Sequence, residues 1–284
     1  MEQIINLLVN QIKDKNQIKD LEDKLIIEKI TKYFLTNGDI RKKLEKEFSK
    51  KENKIIKSKN FKEIVKIIRK EIGIIYGSFL TSDFDKREKY LEQSNNLEDT
   101  KVILKLHKST RERVDFYDEI FTKIFNWKKP NKIGDLCCGL NPMAISLIKE
   151  KLNKTPEYFA SDINPKDMDF LNLFFNKFNV NGFAKSYDLT KLDILKEKQF
   201  QDCDMIFLFK ALDSLEFIKK NCTKELIQNI QSKNIVVSFP TKSLVSKKEF
   251  KIEKRNWFIK FIEENNFKYE TFEIENELFF LIEK

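Results

Sequence analysis

The 284-residue sequence predicts an α/β protein, with an all-helical N-terminal domain ahead of a seven-stranded, mostly parallel sheet covered by helices on both faces. Three observations predict it. The first 105 residues place apolar side chains at helical spacing and show no alternation of strand type. From Lys132 onward, short and nearly all-apolar runs alternate with helical stretches, as parallel strands buried on both faces do. Between these regions, Lys132-Ile-Gly-Asp-Leu-Cys-Cys-Gly-Leu-Asn-Pro-Met-Ala144 reads as a strand, a tight turn and a helix start, with Pro142 suited to a first helical turn. Such a unit gathers backbone N–H groups at the carboxyl edge of a sheet, where polar parts of a nucleotide-like ligand are held. The expected domains are 1–106 and 107–284.

In the helical part, Leu21, Leu25, Ile26, Ile30, Phe34 and Leu35 mark one buried stripe. Asn37-Gly38 breaks that helix, and Asp39 can cap the next, whose face carries Ile40, Leu44 and Phe48. Phe61, Ile64, Val65 and Ile68 mark another face, so a bundle of about four to five helices is expected. The run Lys50-Lys51-Glu52-Asn53-Lys54 reads as a loop or helix end. In residues 107–127, Ser109 with Glu112 fits a capping box ahead of Val114, Phe116, Tyr117, Ile120, Phe121, Ile124 and Phe125. That assignment puts Arg111 and Arg113 in a first helical turn, where cations oppose the helix dipole. Either an anionic partner or a salt bridge to Asp115 or Glu119 resolves the conflict.

Strands are expected at 132–136, 158–162, 183–187, 205–209 and 235–239. Helices are expected at about 142–152, 165–178, 214–231 and 255–265. Residues 269–274 and 278–282, joined at Glu275-Asn276-Glu277, read as a closing antiparallel hairpin.

Composition narrows the class. The formal charge is +9, with 24 Lys and Arg against 18 Asp and Glu in residues 1–105, and 30 against 27 in the remainder. A basic excess concentrated in the N-terminal third suits a polyanionic partner, RNA or DNA foremost. A solvated, lysine-rich face is the plainer account. Four cysteines and one histidine offer neither a disulfide framework nor zinc-ligand spacing, so no metal is expected. No apolar run approaches the ~18 residues of a membrane helix, and Met1-Glu2-Gln3 lacks secretory-signal features. The expected compartment is a reducing cytoplasm.

Acidic residues at strand ends point to a cofactor. Asp162 closes the second strand, roughly 20 residues beyond the turn glycine, Gly139, where a carboxylate accepts both hydroxyls of a ribose. Asp188 closes the third strand, in reach of an adenine amino group, and Asp135 closes the first, where it faces a cofactor or orients the turn. One aspartate after a strand is usually a cap or turn residue; two at successive strand ends after such a turn shift the balance toward a binding site. The G-x-G-x-x-G fingerprint of dinucleotide enzymes is absent. S-adenosylmethionine, which has no pyrophosphate, tolerates the looser turn.

Five segments in order carry a resemblance: His107-Lys-Ser-Thr-Arg-Glu-Arg113, Asp135-Leu-Cys-Cys-Gly-Leu-Asn-Pro-Met-Ala144, Ser161-Asp-Ile163, Phe209-Lys-Ala-Leu-Asp-Ser-Leu-Glu216 and Val236-Val-Ser-Phe-Pro-Thr-Lys-Ser-Leu244. Together they resemble the aminoglycoside-resistance 16S rRNA (guanine-N7) methyltransferases. The terminal hairpin is also what Rossmann-like class I methyltransferases add to their sheet. The resemblance implies S-adenosylmethionine as methyl donor and a guanine in the decoding-site helix of 16S rRNA, within the small (30S) ribosomal subunit, as target. It implies a monomer with a helical rRNA-binding N-terminal domain. By motif position, Arg113 would meet the methionine carboxylate, Gly139 would pack against the cofactor, Asp162 with Ile163 would take the ribose, and Asp188-Leu189 would frame the adenine. Asp135 and Phe209 complete the cofactor set. Lys210, Ser238 and Lys242, with Arg111, Glu216 and Ser243, would lie toward the target base or its phosphates. No catalytic base is implied, because guanine N7 carries no proton.

Two departures stand out. The family has Gly-Cys-Gly in the turn, and Cys137 replaces the first glycine. The glycine- and basic-rich continuation after Ser-Leu is replaced by Val245-Ser-Lys-Lys-Glu-Phe250. A different RNA or small-molecule substrate, or an RNA-binding protein without catalysis, is the alternative these departures leave open.

Overall fold

A computed structural model describes residues 1–14, 18–19, 21–50, 52–77, 79–242 and 255–284. The chain divides into two compact units, Met1–Ser82 and Asp83–Lys284. The division falls earlier than the expected boundary at 106/107. Residues 83–106 carry no strand pattern, so nothing in their sequence separates them from the bundle. Arg87 shows what joins them to the sheet unit. It is buried, lies 4.4 Å over the Phe84 ring, and pairs with the buried Asp167 at 3.4 Å.

The first unit packs helices Glu2–Lys13, Asp23–Thr36, Gly38–Lys50 and Lys59–Ile72. Leu8, Ile12, Ile26, Ile30, Phe61, Ile64 and Ile68 are enclosed where their stripes meet. Leu35, expected on the buried stripe, is 78% exposed, because the stripe is set by Ile26, Ile30 and Phe34. Asp39 lies inside its helix rather than capping it, and Asn37 supplies the carbonyl that accepts from Ile40 and Arg41 N–H. Lys50 ends that helix, and Glu52–Lys57 forms a tight 3-10 turn. Ser58 caps the last helix by accepting the Phe61 N–H at 3.2 Å.

The second unit is a seven-stranded sheet: β1 Lys132–Leu136, β2 Glu157–Asp162, β3 Gly182–Ser186, β4 Met205–Phe209, β5 Asn234–Pro240, β6 Lys268–Ile274 and β7 Glu277–Glu283. Their order is 3-2-1-4-5-7-6. The first five run parallel, and β7 pairs antiparallel with both β5 and β6. This is the Rossmann-like class I methyltransferase sheet that the sequence predicts. Strand β4, Met-Ile-Phe-Leu-Phe, is buried throughout, as a central parallel strand covered on both faces must be. On the outer edge, β6 carries Lys268, Glu270 and Glu273, charges that discourage edge-to-edge pairing. The order reverses between β2-β1 and β4-β5, which opens a crevice at the carboxyl ends of β1 and β4, the usual ligand position in open α/β sheets.

Helices differ from expectation in three places. Residues 107–127 form two helices, Lys108–Arg113 and Tyr117–Trp127. Residues 214–231 form Leu212–Ile218 and Cys222–Asn229, separated at Asn221, whose φ is +63°. A tight turn, Asn141–Ala144, precedes helix Ile145–Leu152.

Gly182 allows β3 to start against β2. Its φ is +149°, and a Cβ there would lie 1.8 Å from the Tyr158 carbonyl oxygen. Gly182→Ala is therefore expected to lower the stability of the sheet unit by about 3 kcal/mol. Urea titration of the full chain, followed by tryptophan fluorescence (Trp127 and Trp257 both lie in this unit), reads the change.

Candidate active site

Strand β1 ends in a turn that is tied down from β2. Cys137 and Gly139 both adopt left-handed backbone, with φ of +55° and +52°. Glycine accepts that region freely, whereas a side chain costs about 1 kcal/mol there. The turn keeps its shape despite Cys137 because its neighbours over-determine it. The Asp162 carboxylate accepts the Gly139 N–H at 2.8 Å and the Ile163 N–H at 2.7 Å. The Cys138 N–H donates to the Ser161 carbonyl at 3.0 Å. Burial pushes the Asp162 carboxyl up, and the two N–H donors oppose that shift. On the other side, the half-buried His107 ring blocks any side chain at position 139, where a Cβ would lie 2.8 Å from its Cε1. Burial and the cations Arg113, Lys108 and Lys210 push His107 down to about 3, so its ring stays neutral.

Asp135 lies beneath this turn, buried at the end of β1. It accepts from the Tyr158 hydroxyl at 2.6 Å and from Asn141 Nδ2 at 2.8 Å, and the Tyr117 hydroxyl donates to Asn141 Oδ1 at 2.8 Å. Of the two roles left open by the sequence, this arrangement gives Asp135 that of orienting the turn through Asn141. No pattern in the sequence singles out Asn141, Tyr117 and Tyr158. Only the fold brings them to one carboxylate.

Arg113 is held differently from the expectation. Its helix starts at Lys108, with His107 at the cap position and no side-chain cap; the expected Ser109–Glu112 box does not form, and the Ser109 hydroxyl lies 2.9 Å from His107 Nδ1. Arg111 and Arg113 therefore occupy the last turn, where cations favour the dipole. The anion that Arg113 meets is neither Asp115 nor Glu119. Its Nε donates to both oxygens of Glu277, at 3.1 and 2.9 Å, and its guanidinium lies 5.0 Å over the Phe209 ring. Glu277, at the start of β7, also meets Lys210 Nζ at 3.1 Å and accepts from the Ser238 hydroxyl. Burial pushes the Glu277 carboxyl up, but Arg113 and Lys210 outweigh it and hold the group below its ordinary range. Lys210 has a left-handed backbone (φ +54°), donates its N–H to the Ser238 carbonyl and hydroxyl, and reaches Glu112 at 2.6 Å.

The sheet edge thus brings together Arg113, Asp135, Gly139, Asp162, Ile163, Phe209, Lys210 and Ser238 from the expected set. Asp188 accepts from the Thr190 N–H and hydroxyl through Oδ1, which fixes the turn that buries Leu189. Glu216 is occupied elsewhere. It accepts the Asn221 and Thr223 N–H groups and so steadies the start of helix Cys222–Asn229. Arg111 and Lys242 are exposed, and Ser243 lies outside the described residues. The substituted segment Val245–Phe250 lies outside them as well.

One buried polar atom tests whether a ligand with a carboxylate fits. Arg113 Nη2 is enclosed and has no hydrogen-bond partner among the described residues. A buried guanidinium edge without an acceptor is costly, and an incoming carboxylate would satisfy it. The Asp162 carboxylate across the turn keeps further acceptor lone pairs beyond those that take the Gly139 and Ile163 N–H groups, so the residues present fit S-adenosylmethionine.

The buried carboxyl of Asp135 gives a pH-dependent signature. Burial pushes it up to about 6, against the hydrogen bonds from Tyr158 and Asn141 and the charge of Arg113. Its folded value lies above its unfolded one, so ionisation penalises the fold as pH rises through that interval. The stability of Asp135→Asn relative to the wild type is expected to improve by roughly 2 kcal/mol between pH 4 and pH 7. Urea midpoints of both proteins across that range measure it.

Comparison with known proteins agrees with this geometry. The family model described as "Ribosomal RNA methyltransferase (FmrO)" matches residues 97–281. A 16S rRNA (guanine(1405)-N(7))-methyltransferase of Micromonospora rosea is 30% identical over 234 residues, covering 78% of this chain and 83% of its own. Among solved structures, the 16S rRNA methyltransferase RmtF in complex with S-adenosyl-L-homocysteine superposes with a TM-score of 0.72 at 20% identity, over 100% of this chain and 99% of that one. The 16S rRNA methylase ArmA is 29% identical, with a TM-score of 0.54 over 70% of this chain and 97% of its own. The chain belongs to the ribosomal RNA methyltransferase (FmrO) family.

Proposed function

We propose that the protein methylates guanine N7 in the decoding-site helix of 16S rRNA, using S-adenosylmethionine, and acts on the small (30S) ribosomal subunit as a cytoplasmic monomer. The observation that carries this reading is Nη2 of Arg113, enclosed without a hydrogen-bond partner among the described residues, with the Asp162-stapled turn, in a chain of this family. Among the described residues, no helix is long and apolar enough to cross a membrane.

When bound, S-adenosylmethionine supplies an electrophilic methyl group on a sulfonium. Arg113 holds the methionine carboxylate through its free guanidinium edge. Asp162, fixed by two N–H donors, accepts the ribose hydroxyls with its remaining lone pairs. Leu189 presents an apolar wall to the adenine, and Asp188 orients that wall. Guanine N7 offers a lone pair and has no proton to lose, so no residue acts as a general base. The neutral His107 shapes the turn and takes no part in proton transfer. What the chain contributes is alignment of the two reactants, the source of much of the advantage of an enclosed site. The exposed Lys242 meets the target or its phosphates, and the basic N-terminal unit grips rRNA, whereas Lys210, expected at the target, is buried between Glu112 and Glu277 and steadies the site from within. Those contacts offset the roughly few kcal/mol needed to extrude a paired base. Resistance to aminoglycosides that bind the decoding site would follow from a methyl group placed there.

Asp162→Ala is expected to weaken S-adenosylhomocysteine binding about 100-fold or more in a calorimetric titration, since it removes the ribose acceptor and unpins the turn. Unchanged affinity would remove Asp162 from the site. For the activity, purified small subunits are incubated with labelled S-adenosylmethionine, and the modified base is mapped by primer extension after borohydride and aniline treatment. A single cleavage in the decoding-site helix is expected. Label elsewhere, or none with cofactor binding intact, would contradict the proposed target.

A further inference from the structure

The buried cations around Glu277 are not fully satisfied by it, and the buried Asp135, within electrostatic reach of Arg113, spends its hydrogen bonds on Tyr158 and Asn141. Arg113, Lys210 and Glu277 have side chains no more than 5% exposed, and together they hold two cations and one carboxylate. The second anion, Glu112, is 40% exposed and pairs with Lys210. Arg113 therefore spends its Nε on Glu277 and keeps Nη2 enclosed and unsatisfied among the described residues. Glu277 is fixed in turn by the Ser238 hydroxyl and by its place at the first position of β7, in register with Pro240 at the end of β5. The Phe209 ring closes one face of the guanidinium. The Tyr117 hydroxyl, which donates to Asn141, also lies against the guanidinium, and by hydrogen-bond geometry Nη2 is left without an acceptor among the described residues.

We propose that Glu277 is the positioning residue of this site: it pins Nε of Arg113 so that the neighbouring Nη2 is held in place for the cofactor carboxylate, and it holds Lys210 alongside. The inference rests on the S-adenosylmethionine reading given above. Two effects of Glu277 oppose each other. Its negative charge weakens the field that draws in a second carboxylate, whereas its hydrogen bonds hold the donor in place. Positioning dominates, because an unrestrained guanidinium would have to be ordered again at each binding event, and a charge-assisted hydrogen bond depends steeply on geometry.

The test separates these effects with two ligands. S-adenosylhomocysteine carries the amino-acid carboxylate; 5′-methylthioadenosine keeps the adenosine and the sulfur and lacks the carboxylate. Calorimetric titrations compare the wild type, Glu277→Gln, Arg113→Met and the double variant. Glu277→Gln keeps the shape of the side chain, and Glu277→Asp is carried as a second variant that keeps the charge. The expected result is a loss of about tenfold in S-adenosylhomocysteine affinity for Glu277→Gln, with 5′-methylthioadenosine affinity changed less than about twofold. In the Arg113→Met background the Glu277 substitution is expected to add nothing further. Equal weakening of both ligands would show a merely structural role and overturn the proposal. Tighter S-adenosylhomocysteine binding by Glu277→Gln would show that Glu277 only competes for Arg113, and would also overturn it. A wild-type protein that binds neither ligand would instead overturn the cofactor reading beneath it.

Discussion

The carboxyl edge of the sheet is organised by one buried carboxylate. Glu277 opens β7, the strand that the terminal hairpin inserts beside β5, and it meets Arg113 from the short helix before the sheet and Lys210 from the end of β4. Two buried cations in one place would repel each other and lose their hydration, and the shared carboxylate relieves both problems. Removing one member of such a group costs about 3–5 kcal/mol, because the remaining charges are left uncompensated. The terminal hairpin is therefore part of the site. It closes the sheet and also delivers the anion that makes a buried cationic corner tolerable.

The turn after β1 follows a different logic. There the constraint is backbone geometry, supplied by hydrogen bonds from outside the turn. Asp162 at the end of β2 and the Ser161 carbonyl hold it from one side, and Asp135 through Asn141 holds it from below. These ties explain how Cys137 occupies a backbone conformation that glycine adopts more readily. The strain at Cys137 is small beside the bonds that enforce it, so the turn accommodates a side chain at a left-handed position.

Much of this was legible in the sequence because it rests on local pattern. Seven strands, their boundaries to within a residue or two, and the positions of Asp162, Asp188 and Gly139 follow from apolar runs and the residues that end them. What was not legible depends on contacts far apart in the chain. Glu277 reads as a polar residue in a hairpin turn; only its pairing with Arg113, 164 positions away, reveals its role. The one local signal was a glutamate directly beside five apolar residues, Leu-Phe-Phe-Leu-Ile, in a strand that had to be buried. The helix break after Arg113 has no proline or glycine to announce it, so Arg111 and Arg113 were expected in a first turn and lie in a last one. Residues 83–106 look like more of the bundle until Arg87 finds Asp167. Glu216 falls in a motif that points to the target, and its carboxylate is occupied by two backbone N–H groups at the start of the following helix.

In the proposed complex, Nη2 of Arg113, with its Nε held by Glu277, receives a carboxylate while Asp162 takes the ribose. A crystal structure of the chain with S-adenosylhomocysteine tests it most directly. The ligand carboxylate is expected within hydrogen-bond distance of Arg113 Nη2, with the Arg113–Glu277 pair intact and the ribose hydroxyls on Asp162. A ligand whose carboxylate lies elsewhere, or that displaces Glu277 from Arg113, would contradict it.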